Sequence, residues 1–172
     1  AVVFSNLFTY RFFGRSLFDH QLLMKGVDLS QGRDQARLSD MRVCDYAAED
    51  APIFSETTSQ QEVLQYLQKT GWNEAYAIDS KTLKFIGFLR AVDLEAGSET
   101  PIAGKLQISD LSFDETTSVR QAMEKLSSFV GDAIPIIKSS DGSLVGVVTE
   151  GAIIQSYLNL AADLRREENA GL

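Results

Sequence analysis

Hydrophobic and polar positions follow one order twice along this chain. A Thr/Ser cluster leads into apolar residues at helical spacing, two short unbroken apolar runs come next, and a further helical stretch closes the unit. In the first copy Thr57-Thr58-Ser59 precedes Val63, Leu64 and Leu67; in the second Thr116-Thr117-Ser118 precedes Ala122, Met123 and Leu126. Ser59-x-x-Glu62 and Ser118-x-x-Gln121 have capping-box spacing, in which each side chain satisfies the other residue's free backbone N–H. The apolar runs predict strand pairs at Ala75–Ile78 with Phe85–Leu89, and at Ile134–Ile137 with Leu144–Val148. Ser140-Asp141-Gly142-Ser143 and Ser80-Lys81-Thr82 supply the hairpin turns. Closing helices are expected over Val92–Glu95, or a little longer, and from Gly151 to about Glu168.

The repetition is literal in places. Phe54–Ser59 reads FSETTS and Phe113–Ser118 reads FDETTS; in the same ungapped register Ile78 falls on Ile137, Ser80 on Ser139 and Gly87 on Gly146, an offset of 59 residues (113 − 54). Two copies of one supersecondary unit bury their apolar faces against each other. The predicted unit is helix–strand–strand–helix with a short strand ahead of it. Two such units give an α+β fold, small sheets flanked by helices about an internal pseudo-twofold. The boundaries are 38–97 for the first repeat and 98–168 for the second, after a 1–37 connector and before a 169–172 tail.

Residues 1–24 read as a helix with apolar positions on more than one face, and Gly26 and Gly32 mark 25–40 as a linker. Phe4, Phe8, Tyr10, Phe12, Phe13 and Phe18 crowd this end, but no apolar run reaches the roughly 18–20 residues of a membrane span. The charge is divided: residues 1–37 carry five basic and three acidic side chains, +2, so a net charge of −8 leaves −10 for the remainder. An acidic chain does not suit a nucleic-acid partner. One cysteine, Cys44, excludes an internal disulfide and reads as a small apolar filler; one histidine, His20, leaves little for metal binding or triad chemistry and reads as a surface residue of the connector. No Gly-rich phosphate loop or nucleophile elbow is present, so the chain does not read as an enzyme.

The doubled unit, with Gly146-Val147-Val148-Thr149 ahead of the last helix, resembles the cystathionine-β-synthase (CBS) domain, which occurs as tandem pairs called Bateman modules. The resemblance covers roughly residues 38–168. It implies an adenine-nucleotide site (ATP, ADP or AMP) in which an Asp near the start of the last helix accepts from both ribose hydroxyls and a preceding Thr helps hold phosphate. The first copy keeps the acid as Asp93 but places Arg90 at the Thr position, and an Arg holds phosphate with charge. The second copy keeps Thr149 but has Ala152 where the acid belongs, and Glu150 beside it repels phosphate. The candidate contacts are therefore Asp93, Arg90 and Thr149, with the Asp93 site the one expected to bind. The plain alternatives are a helix-dipole role for Asp93 and a groove-filling role for Trp72, which otherwise stacks on a base. The resemblance also implies a homodimer through helix faces that include Val63, Leu67, Met123 and Leu126, or Ile153, Ile154 and Leu158.

A second resemblance covers residues 10–40. Ser16-Leu17-Phe18-Asp19, Leu22-Leu23 and Gly26-Val27-Asp28-Leu29 look like the connector that follows the last membrane helix of CLC-family chloride channels and chloride/proton antiporters. It implies the regulatory and dimerising C-terminal domain of such a protein, on the cytoplasmic face of the cell membrane, with the membrane-embedded part as its partner. The basic bias of residues 1–37 agrees with a cytoplasmic flank. The alternatives are a soluble nucleotide-sensing CBS protein that regulates another enzyme or transporter, and a purely structural CBS pair.

Overall fold

A computed structural model describes residues 37–126 and 129–170. The aromatic segment, the connector motif, His20 and residues 25–36 of the expected linker lie outside the described residues. Residues 37–40, also assigned to that linker, are helical instead, because Leu38 is 2% exposed and seated in a core.

Helix α1 spans Gln60–Thr70. Ser59 Oγ accepts from Glu62 N at 3.3 Å, and Gly71, at φ +82°, turns the chain out while its N–H returns to Leu67 O at 2.8 Å. Helix α2 spans Val119–Leu126, and here the box closes both ways: Ser118 Oγ accepts from Gln121 N at 3.2 Å and Gln121 Oε1 accepts from Ser118 N at 3.0 Å.

Each copy carries one three-stranded sheet. In the first, β1 (Ile53–Ser55) runs parallel to β2 (Glu74–Ile78), which pairs antiparallel with β3 (Phe85–Arg90). In the second, β4 (Phe113–Asp114), β5 (Ala133–Ile137) and β6 (Leu144–Thr149) repeat that order. Even the ladder irregularities match, at Ala77/Ile78 and Ile136/Ile137. The predicted hairpins form on side-chain acceptors. Asp79 Oδ1 takes the Lys81 and Thr82 N–H groups at 3.1 and 2.7 Å, and Asp141 Oδ1 takes Ser143 N at 2.9 Å. Glu56 holds Ser80 N at 2.8 Å, and its repeat mate Glu115 holds Ser139 N at 2.9 Å.

The segment leading into each copy packs on the other copy. Val43 N donates to Thr117 O at 3.0 Å and Val119 N to Met41 O at 2.8 Å; Gln60 N donates to Thr100 O at 3.0 Å and Ile102 N to Thr58 O at 2.9 Å. Leu38 and Val43 accordingly sit in the core of the second copy with Phe113, Met123, Ile136 and Ile153, whereas Ile102 sits in the core of the first with Val63, Leu67 and Leu89. A third cluster, Tyr76, Ala133 and Val147, joins the sheets.

The copies end differently. Helix α3 runs over Glu150–Ala170, as expected for the second copy, and buries Ile153, Tyr157 and Leu160. The helix expected over Val92–Glu95 is only a 3-10 turn at Ala91–Asp93. Tertiary contacts claim its continuation: Glu95 N donates to Gln60 Oε1 at 3.1 Å, and Gly97, at φ +79°, bends the chain so that Ile102 reaches the core. Of the helix positions expected to face a dimer partner, Val63, Leu67, Met123, Leu126 and Ile153 are instead buried in the chain's own cores, whereas Ile154 and Leu158 are half-buried against the second core. Among the described residues no helix is long and apolar enough to cross a membrane.

Candidate functional site

The two sheets meet along a seam made by repeat mates. Asn73 N donates to Asp132 Oδ2 at 2.9 Å across an offset of 59 residues, and Asp132 N donates to Glu74 Oε2 at 3.1 Å. Tyr76, 1% exposed, donates its hydroxyl to Ala133 O at 2.8 Å, and its oxygen lies 3.3 Å from Glu74 Oε2. Burial pushes the Glu74 carboxyl above its ordinary range, with the Asp132 charge adding to it; the Asp132 N–H and the Arg90 charge oppose the shift. Burial, then Glu74, pushes the Tyr76 phenol far up as well. This tyrosine therefore stays neutral and keeps its proton on the seam.

Each end of the seam opens into a cleft. The larger, about 550 Å³, has Phe88 and Phe129 as aromatic walls and Glu74, Asp110, Glu124 and Lys125 as charged groups. The smaller, about 300 Å³, is lined by Trp72, Asn73, Asp132 and Thr149. The clefts are counterparts under the repeat. Phe129 and Gly131 of the larger are the mates of Thr70 and Trp72 in the smaller.

Arg90 and Asp93 are brought together by the end of β3 and the 3-10 turn after it. Arg90 Nε stands 3.0 Å from Asp93 Oδ2, with side chains 51% and 32% exposed. Gln107 Nε2 donates to the same oxygen at 2.8 Å. Both sit beside the larger cleft without lining it: Arg90 is the register partner of Glu74, and Gln107 pairs through its backbone with Phe88 at 3.0 and 2.7 Å. Gln107 is a residue that sequence reading missed. The only signal for it is Gly87, at φ +146°, where an added Cβ would stand 2.5 Å from Gln107 O. That glycine lets the connecting segment close on β3.

Thr149 belongs to the other cleft and does local work: its Oγ1 accepts from Ala152 N at 3.0 Å and caps α3. Glu150 opens that helix. Trp72 lines the smaller cleft while packing on the first core and on the seam, so it fills a groove at the rim of a cavity. Cys44 packs half-buried against the second core.

Residues 104–159 match the family model of the CBS domain. No curated protein matches the chain. Solved structures do. A CBS domain pair/ACT domain protein from Thermotoga maritima aligns with a TM-score of 0.61 at 18% identity over 69% of this chain and 98% of its own. CbpB in complex with c-di-AMP aligns at 0.65 and 19% identity over 78% and 96%. CBSX2 in complex with AMP aligns at 0.59 and 18% identity over 70% and 98%. The fold is that of a CBS-domain pair.

Proposed function

We propose that this chain is a regulatory CBS-domain pair that senses an adenine nucleotide in the larger cleft between its repeats. The observation that carries the reading is that cleft: about 550 Å³, walled by Phe88 and Phe129, with Asp93 and Arg90 beside it. Its size suits a mononucleotide and its aromatic walls suit a flat base. A vicinal diol donates two charge-assisted hydrogen bonds to a carboxylate, the chemistry that Asp93 offers. Relatives of this fold are solved with AMP and with c-di-AMP. The walls come from both copies, so a ligand gripped by both favours one packing of the copies over another. The output is a population shift and not a reaction.

A thermal-shift panel of adenosine, AMP, ADP, ATP and c-di-AMP tests the reading, because a ligand that binds only the folded chain raises its melting point. A rise with at least one adenine ligand, lost in Asp93→Ala, is expected. No rise with any of them at millimolar concentration moves the reading to a structural pair, and a rise that survives Asp93→Ala moves the site.

The second reading, the regulatory C-terminal domain of a CLC-type chloride transport protein, is carried by the connector motif Ser16–Leu29 alone. The gene sequence immediately upstream tests it: about ten or more apolar segments of spanning length support it, and a start codon next to residue 1 ends it.

A further inference from the structure

We infer that Arg90 is a specificity switch which lets a ribose reach Asp93 only when the ligand also brings a phosphate. The inference rests on the nucleotide reading above and concerns the regulation of that same site. Asp93 is already occupied by its own chain: Oδ2 takes Arg90 Nε at 3.0 Å and Gln107 Nε2 at 2.8 Å. A diol that grips both oxygens of this carboxylate has to displace one of them from Oδ2, whose two lone pairs are both taken. Gln107 is a neutral amide that can turn to another acceptor. Arg90 is a cation, and its neighbours decide where it can go.

Within the larger cleft the other anions are Glu74, Asp110 and Glu124. Glu74, directly across the ladder from Arg90, already accepts from Asp132 N at 3.1 Å, with the Tyr76 hydroxyl at 3.3 Å. Glu124 is paired with Arg120 at 3.5 Å. A nucleoside that takes Asp93 breaks the Arg90 ion pair and brings no anion in exchange, leaving the guanidinium only the charge of Glu74 across the ladder. A nucleoside monophosphate exchanges partners: the diol goes to the carboxylate and the phosphate to the guanidinium, whose planar fork matches it. The existing pair is part-exposed, and such pairs are weak enough to open. A Thr at position 90 has no charge with which to block Asp93, so the self-occupied state is specific to the arginine.

Isothermal titration of the full chain with adenosine and with AMP tests this, using wild type, Arg90→Ala and Gln107→Ala, each first shown to be folded by circular dichroism. Wild type should prefer AMP by roughly ten- to a hundredfold, the range of one charge-assisted bond. Arg90→Ala should bring the preference close to one. AMP should weaken, and adenosine should bind better, by up to about fivefold, the most that releasing a part-exposed pair gives; adenosine affinity equal to wild type would make Arg90 a phosphate contact and overturn the switch. Gln107→Ala should improve both ligands alike and keep the preference. An Arg90→Ala variant that keeps the AMP preference, or that weakens adenosine as much as AMP, overturns the switch and leaves the nucleotide reading standing. Failure of all three proteins to bind either ligand removes both.

Discussion

Gly87 and Gly146 occupy the same place in the two copies, and replacing each by alanine should have very different effects. Gly87 stands at φ +146°, a conformation that side-chain-bearing residues adopt only under strain of about 1–3 kcal/mol. Its added Cβ would lie 2.5 Å from Gln107 O, a backbone atom that no rotamer change can move. Relief requires the segment around Gln107 to leave β3. The two Phe88–Gln107 hydrogen bonds, at 3.0 and 2.7 Å, are then lost at about 0.5–1.5 kcal/mol each. Gly87→Ala should therefore cost about 2–6 kcal/mol. Gly146 is not among the positive-φ residues, and its added Cβ would meet only the Ala47 Cβ, at 3.1 Å. A shift of a few tenths of an ångström relieves that contact, so Gly146→Ala should cost about 1 kcal/mol, the mild end of overpacking. Urea titration of wild type and both variants gives the comparison, and heating checks it at about 2–4 °C per kcal/mol. Equal losses in the two variants, or no measurable loss in Gly87→Ala, would refute the reasoning.

Three further outcomes follow from the seam and the cores. Tyr76→Phe keeps the packing but leaves the Ala133 carbonyl without its 2.8 Å donor; it should cost about 1–3 kcal/mol, read from urea midpoints, and a neutral result would mean that water replaces the hydroxyl. Leu38→Ala should cost about 2–5 kcal/mol and speed amide exchange in β5 and β6 more than in β2 and β3, because Leu38 belongs to the second core; equal acceleration in both sheets would sink that assignment. Glu74 has a raised carboxyl pKa in the folded chain, so its contribution is present in full below its ordinary value of 4.5 and is lost as pH rises through the raised value. Glu74→Gln keeps an acceptor without the charge. It should match wild type near about pH 4 and exceed it near about pH 7, whereas a deficit at both would show that the bonds to the ionised form outweigh its desolvation.

What the sequence made legible was everything decided within a few residues. The serine caps at Ser59 and Ser118, the full capping box of the second copy, the hairpin turns at 80–82 and 140–143, the strand runs and the 59-residue offset all depend on near neighbours or on pattern, and the structure carries them. The doubled unit also led to the CBS-pair fold. What stayed hidden depends on partners far along the chain. Val43 and Ile102 are repeat mates and both are 0% exposed, yet nothing local says that each packs on the opposite copy. Val92–Glu95 has helical composition, and it was the remote acceptor Gln60 and the pull of Ile102 toward the core that stopped the helix. At the candidate site the pairing of Arg90 with Asp93, three residues apart, was within reach of sequence. Gln107, 14 residues beyond Asp93, was not.

The crossing of the lead-in segments has a mechanical consequence. A load applied through residue 37 does not arrive first at the repeat that follows it in sequence. It arrives at Leu38 and Val43, hence at the hydrophobic interior of the far repeat, by way of hydrogen bonds to Thr117 and Val119. The near repeat shares it through the contacts between repeats, among them the seam at Tyr76 and Glu74 and the backbone bonds Phe85 N to Gly142 O and Leu144 N to Leu83 O. A pull on residue 37 would therefore be felt across the contacts between the repeats, which also border the larger cleft. On the proposed nucleotide reading, a ligand in that cleft and a pull on the lead-in segment bear on the same contacts between repeats.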